Sequence, residues 1–225
     1  RAVFHVDNAY WLPDVALHSY RCRTNTVSDT AFRGFGGPQG MFPIEHVIDE
    51  IARALGRDPL DVRRVNLYGT ATRNVTPYGM TVEDNVAPQI IEELVASSRY
   101  RERRAAIALW NRASPVIKRG IALTPVKFGI SFTATHYNQA GALLHLYSDG
   151  TLLVNHGGTE MGQGLFTKVA QVVAQELGVP LASVRVSASD TSKVPNASPT
   201  AASSGSDLNG MAARDAARKL REQLV

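Results

Sequence analysis

Two glycine-rich stretches place the tightest limits on how this chain can fold. Residues 33–40 read Arg-Gly-Phe-Gly-Gly-Pro-Gln-Gly, and residues 157–164 read Gly-Gly-Thr-Glu-Met-Gly-Gln-Gly. Glycine reaches left-handed backbone conformations that a β-carbon penalises, and it lets other groups approach the main chain closely. Each stretch runs into an apolar periodic segment, so each is expected to feed a helix whose first N–H groups lack intrahelical acceptors and favour an anion. Neither stretch has the glycine spacing of a dinucleotide fingerprint or the Gly-Lys-Ser/Thr of a nucleotide-phosphate loop. A third segment, residues 196–206, combines hydroxyls with very small side chains before and within an expected helix start. Singly, each could be an ordinary connector; three such junctions together favour a ligand cradle.

Periodicity orders the rest. Residues 10–24 alternate loosely, with β-branched and aromatic residues that suggest one or two strands. Ile44, Val47, Ile48, Ile51 and Leu55 recur at helical spacing, and Gly56 is placed to end that helix. A second helix is expected over 58–67, with Asp58 as N-cap, Pro59 in the first turn and Asp61 completing the cap. Residues 69–85 read as a long loop. One long helix is expected from Ala87 or Pro88 to about Asn111, stopped by Ser114-Pro115. Strand-like runs follow at 120–123, 127–133, 142–147 and 152–155, the last two joined by Ser148-Asp149-Gly150 as a hairpin. A helix over 165–177, a strand over 184–186 and a final helix from about Thr200 complete the chain. Helices therefore precede a strand-rich α/β part, and the change of character puts a boundary between 1–115 and 116–225.

The 225 residues, 44% hydrophobic, suffice for one large core or two modest ones. No apolar run approaches the roughly 20 residues of a membrane span, and no signal-peptide core is evident. The chain starts at Arg1, and residues 9–13 already read as core, so it is expected to begin inside a larger protein. A lone cysteine, Cys22, excludes an internal disulfide or a Cys-rich cluster made by this chain alone, and fits a reducing, cytoplasmic compartment. The +4 charge is too small to argue for nucleic acid, and the run Arg99, Arg101, Arg103, Arg104 reads as a solvated helix face. His5, His18, His46, His136, His145 and His156 lack short ligand spacings, so no protein-made metal site is expected. Glu160, at an expected helix N-terminus, reads at least as well as a structural hydrogen-bonding group as a base. No Ser-His-Asp set can be assigned.

The ordered motifs resemble the molybdenum-binding region of the xanthine dehydrogenase/xanthine oxidase family. They are residues 30–40 (Thr-Ala-Phe-Arg-Gly-Phe-Gly-Gly-Pro-Gln-Gly), 61–68 (Asp-Val-Arg-Arg-Val-Asn-Leu-Tyr), 127–133 (Lys-Phe-Gly-Ile-Ser-Phe-Thr), 138–142 (Asn-Gln-Ala-Gly-Ala), 157–164 and 194–203. The resemblance covers essentially the whole chain. It implies an α/β (α+β), two-layer mixed-sheet molybdenum-cofactor-binding architecture, present as an incomplete fragment spanning the end of one subdomain (1–115) and the start of a second (116–225). It further implies oxidative hydroxylation of hypoxanthine or xanthine at a purine ring carbon, with water as the oxygen source. The metal is carried by the dithiolene of a pterin, which would explain the absence of a His or Cys ligand set.

By the same resemblance, Phe32, Arg33, Gly162, Gln163, Ala202 and Ser203 contact the molybdenum-pterin cofactor. Phe35 and Phe132 sandwich the purine, Thr133 hydrogen-bonds on the substrate side, and Arg33 faces the reacting ring. Gly205 stands where some members carry serine, with Ser204 and Ser206 on either side. The essential general-base glutamate is expected beyond Val225, and further substrate-binding residues before Arg1. Iron–sulfur clusters and FAD are expected in other domains or subunits, and the whole enzyme as a homodimer or heterotetramer. The isolated piece is expected to be inactive and need not retain cofactor. An aldehyde-oxidising relative is the alternative enzyme, and an inactive structural or interaction module the alternative outside catalysis. A carbon-monoxide-oxidising relative is disfavoured because the first loop has no cysteine.

Overall fold

Gly37–Ala54 forms helix α1, which begins seven residues before the apolar stripe that announces it in the sequence. The early start follows from backbone chemistry: Gly36 is left-handed, Pro38 lies in the first turn, and Gly37 and Gly40 are buried where no side chain fits. The computed structural model describes residues 2–28, 32–130, 132, 134–193 and 197–224. They divide into two compact units, Arg1–Phe128 and Gly129–Val225.

In the first unit α1 ends as expected, with Gly56 left-handed (φ 61°) after Leu55. Helix α2 spans Pro59–Asn66, and the Asp58 carboxylate accepts from the Leu60 N–H at 2.9 Å, so the Asp58 N-cap forms, while the Asp61 carboxylate pairs with Arg101. The single long helix expected from Ala87 is instead two, α3 (Ala87–Ser97) and α4 (Tyr100–Ala113), broken where Arg99 turns left-handed (φ 52°). A continuous helix advances about 100° per residue and would set Ile91 and Tyr100 on faces about 180° apart. The break lets both enter one core, where each is 2% exposed.

That core joins Ala9, Tyr10, Ile48, Ala52, Leu60, Leu67 and Leu123. Beside it lies a buried polar network. Arg63, 1% exposed, ion-pairs with Glu45 (2.7 Å) and Asp49 (2.8 Å), while Glu45 Oε1 accepts from Asn8 Nδ2 (2.7 Å) and the Tyr10 hydroxyl (2.6 Å). Asp7 accepts from the Tyr68 hydroxyl at 2.7 Å and pairs with Lys127 at 3.1 Å. Burial, with Glu45 and Asp7 as acceptors, pushes the Tyr10 and Tyr68 phenols far above their ordinary range.

The strands expected at 10–24 and 120–123 do not form. Tyr10 makes only an isolated bridge with Leu67, and among the described residues no ladder runs through 11–28. Alternation without a partner strand leaves Tyr20 and Val27 in solvent. Around 125–127 the Asn8 side chain takes the partner's role, donating to Pro125 O (2.9 Å) and accepting from the Lys127 N–H (3.0 Å). Residues 116–128 thus run with the first unit, although composition changes earlier, where α4 ends. The 127–133 run forms no strand over its described residues.

The second unit is a two-layer α/β arrangement. Strands β1 (Ala142–Leu146) and β2 (Leu152–His156) pair antiparallel through the expected hairpin, and β3 (Val184–Val186) adds parallel to β2. Helix α5 (Leu165–Leu177) buries Leu165, Val169 and Val173 against Leu152, Val154 and Val184, and α6 (Gly205–Leu224) packs on α5 and over β1 and β2. The final helix starts later than expected because Ala202 and Ser203 are left-handed (φ 55° and 57°), which no right-handed helix admits. Among the described residues no helix is long and apolar enough to cross a membrane.

Candidate functional site

The first glycine-rich loop enters α1 through three successive left-handed residues, Gly34, Phe35 and Gly36 (φ 93°, 41° and 93°). Two turn bonds hold it, Phe35 N–H to Phe32 O at 2.7 Å and Gly37 N–H to Gly34 O at 2.9 Å. Left-handed backbone is costly for a bulky side chain, of order 1–3 kcal/mol, and persists where the surroundings over-determine it. Here they do: a β-carbon on Gly37 would lie 2.4 Å from the Phe128 ring, and one on Gly40 would lie 2.3 Å from Ala2 O. Phe128 is itself stacked on His5, ring centroids 4.9 Å apart. The loop is thereby clamped while Phe32 (79%) and Phe35 (43%) stay exposed, and Arg33 is exposed with them. Phe32, Arg33 and Phe35 are thus brought together on one unit.

The second loop follows β2 and feeds α5. Most of its polar groups turn inward. Glu160 accepts from the N–H groups of Gly162 (2.8 Å), Gly164 (3.0 Å) and Phe166 (3.1 Å), capping α5 from inside its own loop. These backbone donors, Phe166 foremost, hold its carboxyl below the usual glutamate range. Gln163 accepts from Met161 N–H (2.6 Å) and donates to Thr159 O (2.9 Å). Glu160 is therefore a structural group, and the Gln163 amide braces the turn. Gly162, left-handed at φ 90°, has open space where a β-carbon would stand.

At the loop's root His156, 3% exposed, accepts the Gly158 N–H through Nδ1 at 3.0 Å. A β-carbon on Gly158 would meet Leu165 Cδ2 at 2.6 Å and Asn209 Nδ2 at 2.9 Å, so the loop lies directly against α5 and α6.

The third segment lies beside the second. Thr159 N–H donates to Thr200 Oγ1 at 2.7 Å, which brings the Gly162–Gln163 turn and the left-handed Ala202–Ser203 pair into one unit at the N-terminal ends of α5 and α6. Ser204 is buried and donates to Ala201 O at 3.1 Å, whereas Ser203 and Ser206 are exposed. Among the described residues no side chain caps the N–H groups of Gly205, Ser206 or Asp207. The two junctions differ in this respect: α5 carries its own anion in Glu160, and α6 carries none on those donors.

Phe132, half-buried, belongs to the second unit; Thr133 lies outside the described residues. No group of three or more His, Cys, Asp or Glu that could hold a metal occurs among the described residues. Sequence reasoning gave no role to Thr200 or the His156–Asn209 pair, which meet the 157–164 loop, or to Asn138, whose side chain bonds the Phe132 backbone. Asn138 and Thr200 lie inside quoted motifs, and that was the available signal.

Two family models described as molybdopterin cofactor-binding domains match the chain, one over residues 1–67 and the other over residues 93–225. The chain belongs to the molybdopterin cofactor-binding domain family. Xanthine dehydrogenase of Drosophila pseudoobscura pseudoobscura is 50% identical to this chain over all 225 residues, and nicotinate hydroxylase of Emericella nidulans is 48% identical over 226 aligned residues. In each case the chain spans 17% of the relative's length. Among solved structures, the aldehyde oxidoreductase from Desulfovibrio desulfuricans matches with a TM-score of 0.67 and 26% identity, covering 85% of this chain and 21% of that one.

Proposed function

We propose that this chain is the part of a molybdenum hydroxylase that cradles the pterin cofactor and holds a purine, in an enzyme that hydroxylates hypoxanthine or xanthine at a ring carbon with oxygen from water. The carrying observation is the 50% identity to a xanthine dehydrogenase sustained over the whole chain.

The described residues fit a pterin carrying a phosphate. The Ala202–Ser203 pair, left-handed and followed by first-turn N–H groups that no described side chain caps, suits an anion of the kind that successive amides bind. Gly162 leaves room for close approach of a ligand to the main chain. Phe32, Arg33, Gly162, Gln163, Ala202 and Ser203 are the residues that would contact the cofactor. When bound, the molybdenum-pterin group supplies the two-electron redox centre. The chain's own residues bind and orient: Phe35 and Phe132 take the faces of a flat heteroaromatic ring, and Thr133 offers it a hydroxyl. The Arg33 guanidinium would stabilise negative charge that develops on the ring. Iron–sulfur and FAD domains, elsewhere in the enzyme, complete the electron path.

A second reading, hydroxylation of a pyridine carboxylate, is favoured by the 48% identity to nicotinate hydroxylase. One experiment separates the two. The enzyme carrying this chain is assayed with xanthine, hypoxanthine, nicotinate and a simple aromatic aldehyde. The proposal expects the highest kcat/KM for the purines; preference for nicotinate establishes the second reading, and preference for the aldehyde overturns both.

A further inference from the structure

The 138–142 motif has no role in the function proposed above, yet the structure gives Asn138 a specific one. Its side-chain amide grips the backbone of Phe132 from both sides: Oδ1 accepts the Phe132 N–H at 3.0 Å, and Nδ2 donates to the Phe132 carbonyl at 2.9 Å. This reciprocal pair imitates a strand partner, on a residue that is in no strand. The Phe132 ring also meets Tyr137 edge-on, centroids 6.2 Å apart, so residues next to one another in sequence hold both backbone and ring.

The clamp is anchored in turn. The Ser198 hydroxyl donates to Tyr137 O and accepts the Gln139 N–H at 2.9 Å, while the Ser198 N–H donates to Gln139 O at 2.9 Å. Two residues on, Thr200 Oγ1 takes the Thr159 N–H at 2.7 Å. Hydrogen bonds joined by short stretches of backbone therefore run from Phe132, through residues 137–139 and 198–200, to the 157–164 loop and the approach to Ala202–Ser203.

We infer that Asn138 is a positioning residue: it fixes the Phe132 ring for the flat substrate and registers that ring against the loops that hold the cofactor. The inference rests on the reading of Phe132 as a substrate-side aromatic. Asn138 touches neither substrate nor cofactor, so its effect must pass through the ring. That condition distinguishes it from a residue that merely keeps the fold together.

The test is a double-mutant cycle in the full enzyme loaded with its cofactor, read by calorimetric binding of urate. Urate is a purine already oxygenated at C2, C6 and C8, so binding is measured without turnover. Loss of two partly buried hydrogen bonds, at the low end of their net worth, weakens binding about fivefold to tenfold in Asn138→Ala. Molybdenum content stays unchanged and amide exchange at Phe132 speeds up. In a Phe132→Ala background the same substitution causes no further loss, because the ring it positions is gone. Equal weakening with and without the ring, or no weakening, overturns the inference while leaving Phe132 on the substrate side. Unchanged urate binding in Phe132→Ala alone overturns the reading of Phe132 and the inference with it. Should Asn138→Ala fail to take up cofactor, Asn138→Asp, which keeps the acceptor and loses the donor, carries the same cycle. Failure of both to load identifies a folding residue and overturns the inference.

Discussion

Acidification is expected to loosen the root of the 157–164 loop, through His156. Its Nδ1 accepts the Gly158 N–H, so that nitrogen carries no proton and the ring is neutral. His156 Nε2 and Asn209 Oδ1 are buried without partners of ordinary hydrogen-bond geometry. Burial, the larger effect, pushes the imidazole below the ordinary histidine value of 6.5, and the Asn209 side chain pulls it partly back. Phe166, edge-on at 5.1 Å, and Asn209 bring no charge to it. As pH falls through 6.5 the opened chain takes up a proton that the closed one refuses, so closed-state stability declines with falling pH. One proton sets the ceiling: between about pH 7.5 and about pH 5.5 the loss cannot exceed about 1.4 kcal/mol, or roughly a tenfold drop in protection. Amide exchange of the 157–164 segment, corrected for the intrinsic pH dependence of exchange, reads this directly. Protection should fall toward that ceiling in the natural protein. It should stay level in His156→Asn, whose carbonyl oxygen replaces Nδ1 as acceptor and does not titrate. A pH-independent natural protein, or an equal fall in the variant, refutes the reasoning.

Two further outcomes concern the first unit. Replacing Arg63 by Met strands Glu45 and Asp49 beside a buried core and should cost about 3–5 kcal/mol, measured as a lowered denaturation midpoint of this unit. A loss within about 0.5 kcal/mol, the range of ordinary surface changes, would show that the network adds nothing. Glycine to alanine inside a helix ordinarily stabilises by about 0.5–1 kcal/mol, but Gly40→Ala should destabilise, because its β-carbon would lie 2.3 Å from a backbone carbonyl oxygen. Gly37→Ala should cost less, since the obstructing Phe128 ring can swing; thermal unfolding ranks the two, and the reverse order contradicts the geometry.

The parts legible in the sequence are those whose signals are local. Helix α5 and strand β3 fall on the residues expected, because an apolar stripe closed by Gly178 and a short apolar run need nothing distant to define them. The Asp58 cap and the hairpin at Gly150 are equally local. The break at Arg99 is not: Ser98-Arg99 carries no strong stop signal, and only the shared burial of Ile91 and Tyr100 demands it. Residues 10–24 misled because alternation reports a half-buried strand only when a partner exists. The glycine-rich loops were legible as places where the main chain is approached closely. Which donors they leave open was not, since Glu160 and Gln163 take the N–H groups of Met161, Gly162 and Gly164 through hydrogen bonds that composition does not reveal.

The internal capping by Glu160 bears on how such a protein is assembled. A loop whose donors are filled from within needs no ligand to keep its shape, and the carboxylate stands where loose solvent ions would otherwise collect. The 157–164 segment can therefore hold its turn before any ligand arrives. On the reading proposed above, cofactor loading would then be an insertion into a part already shaped.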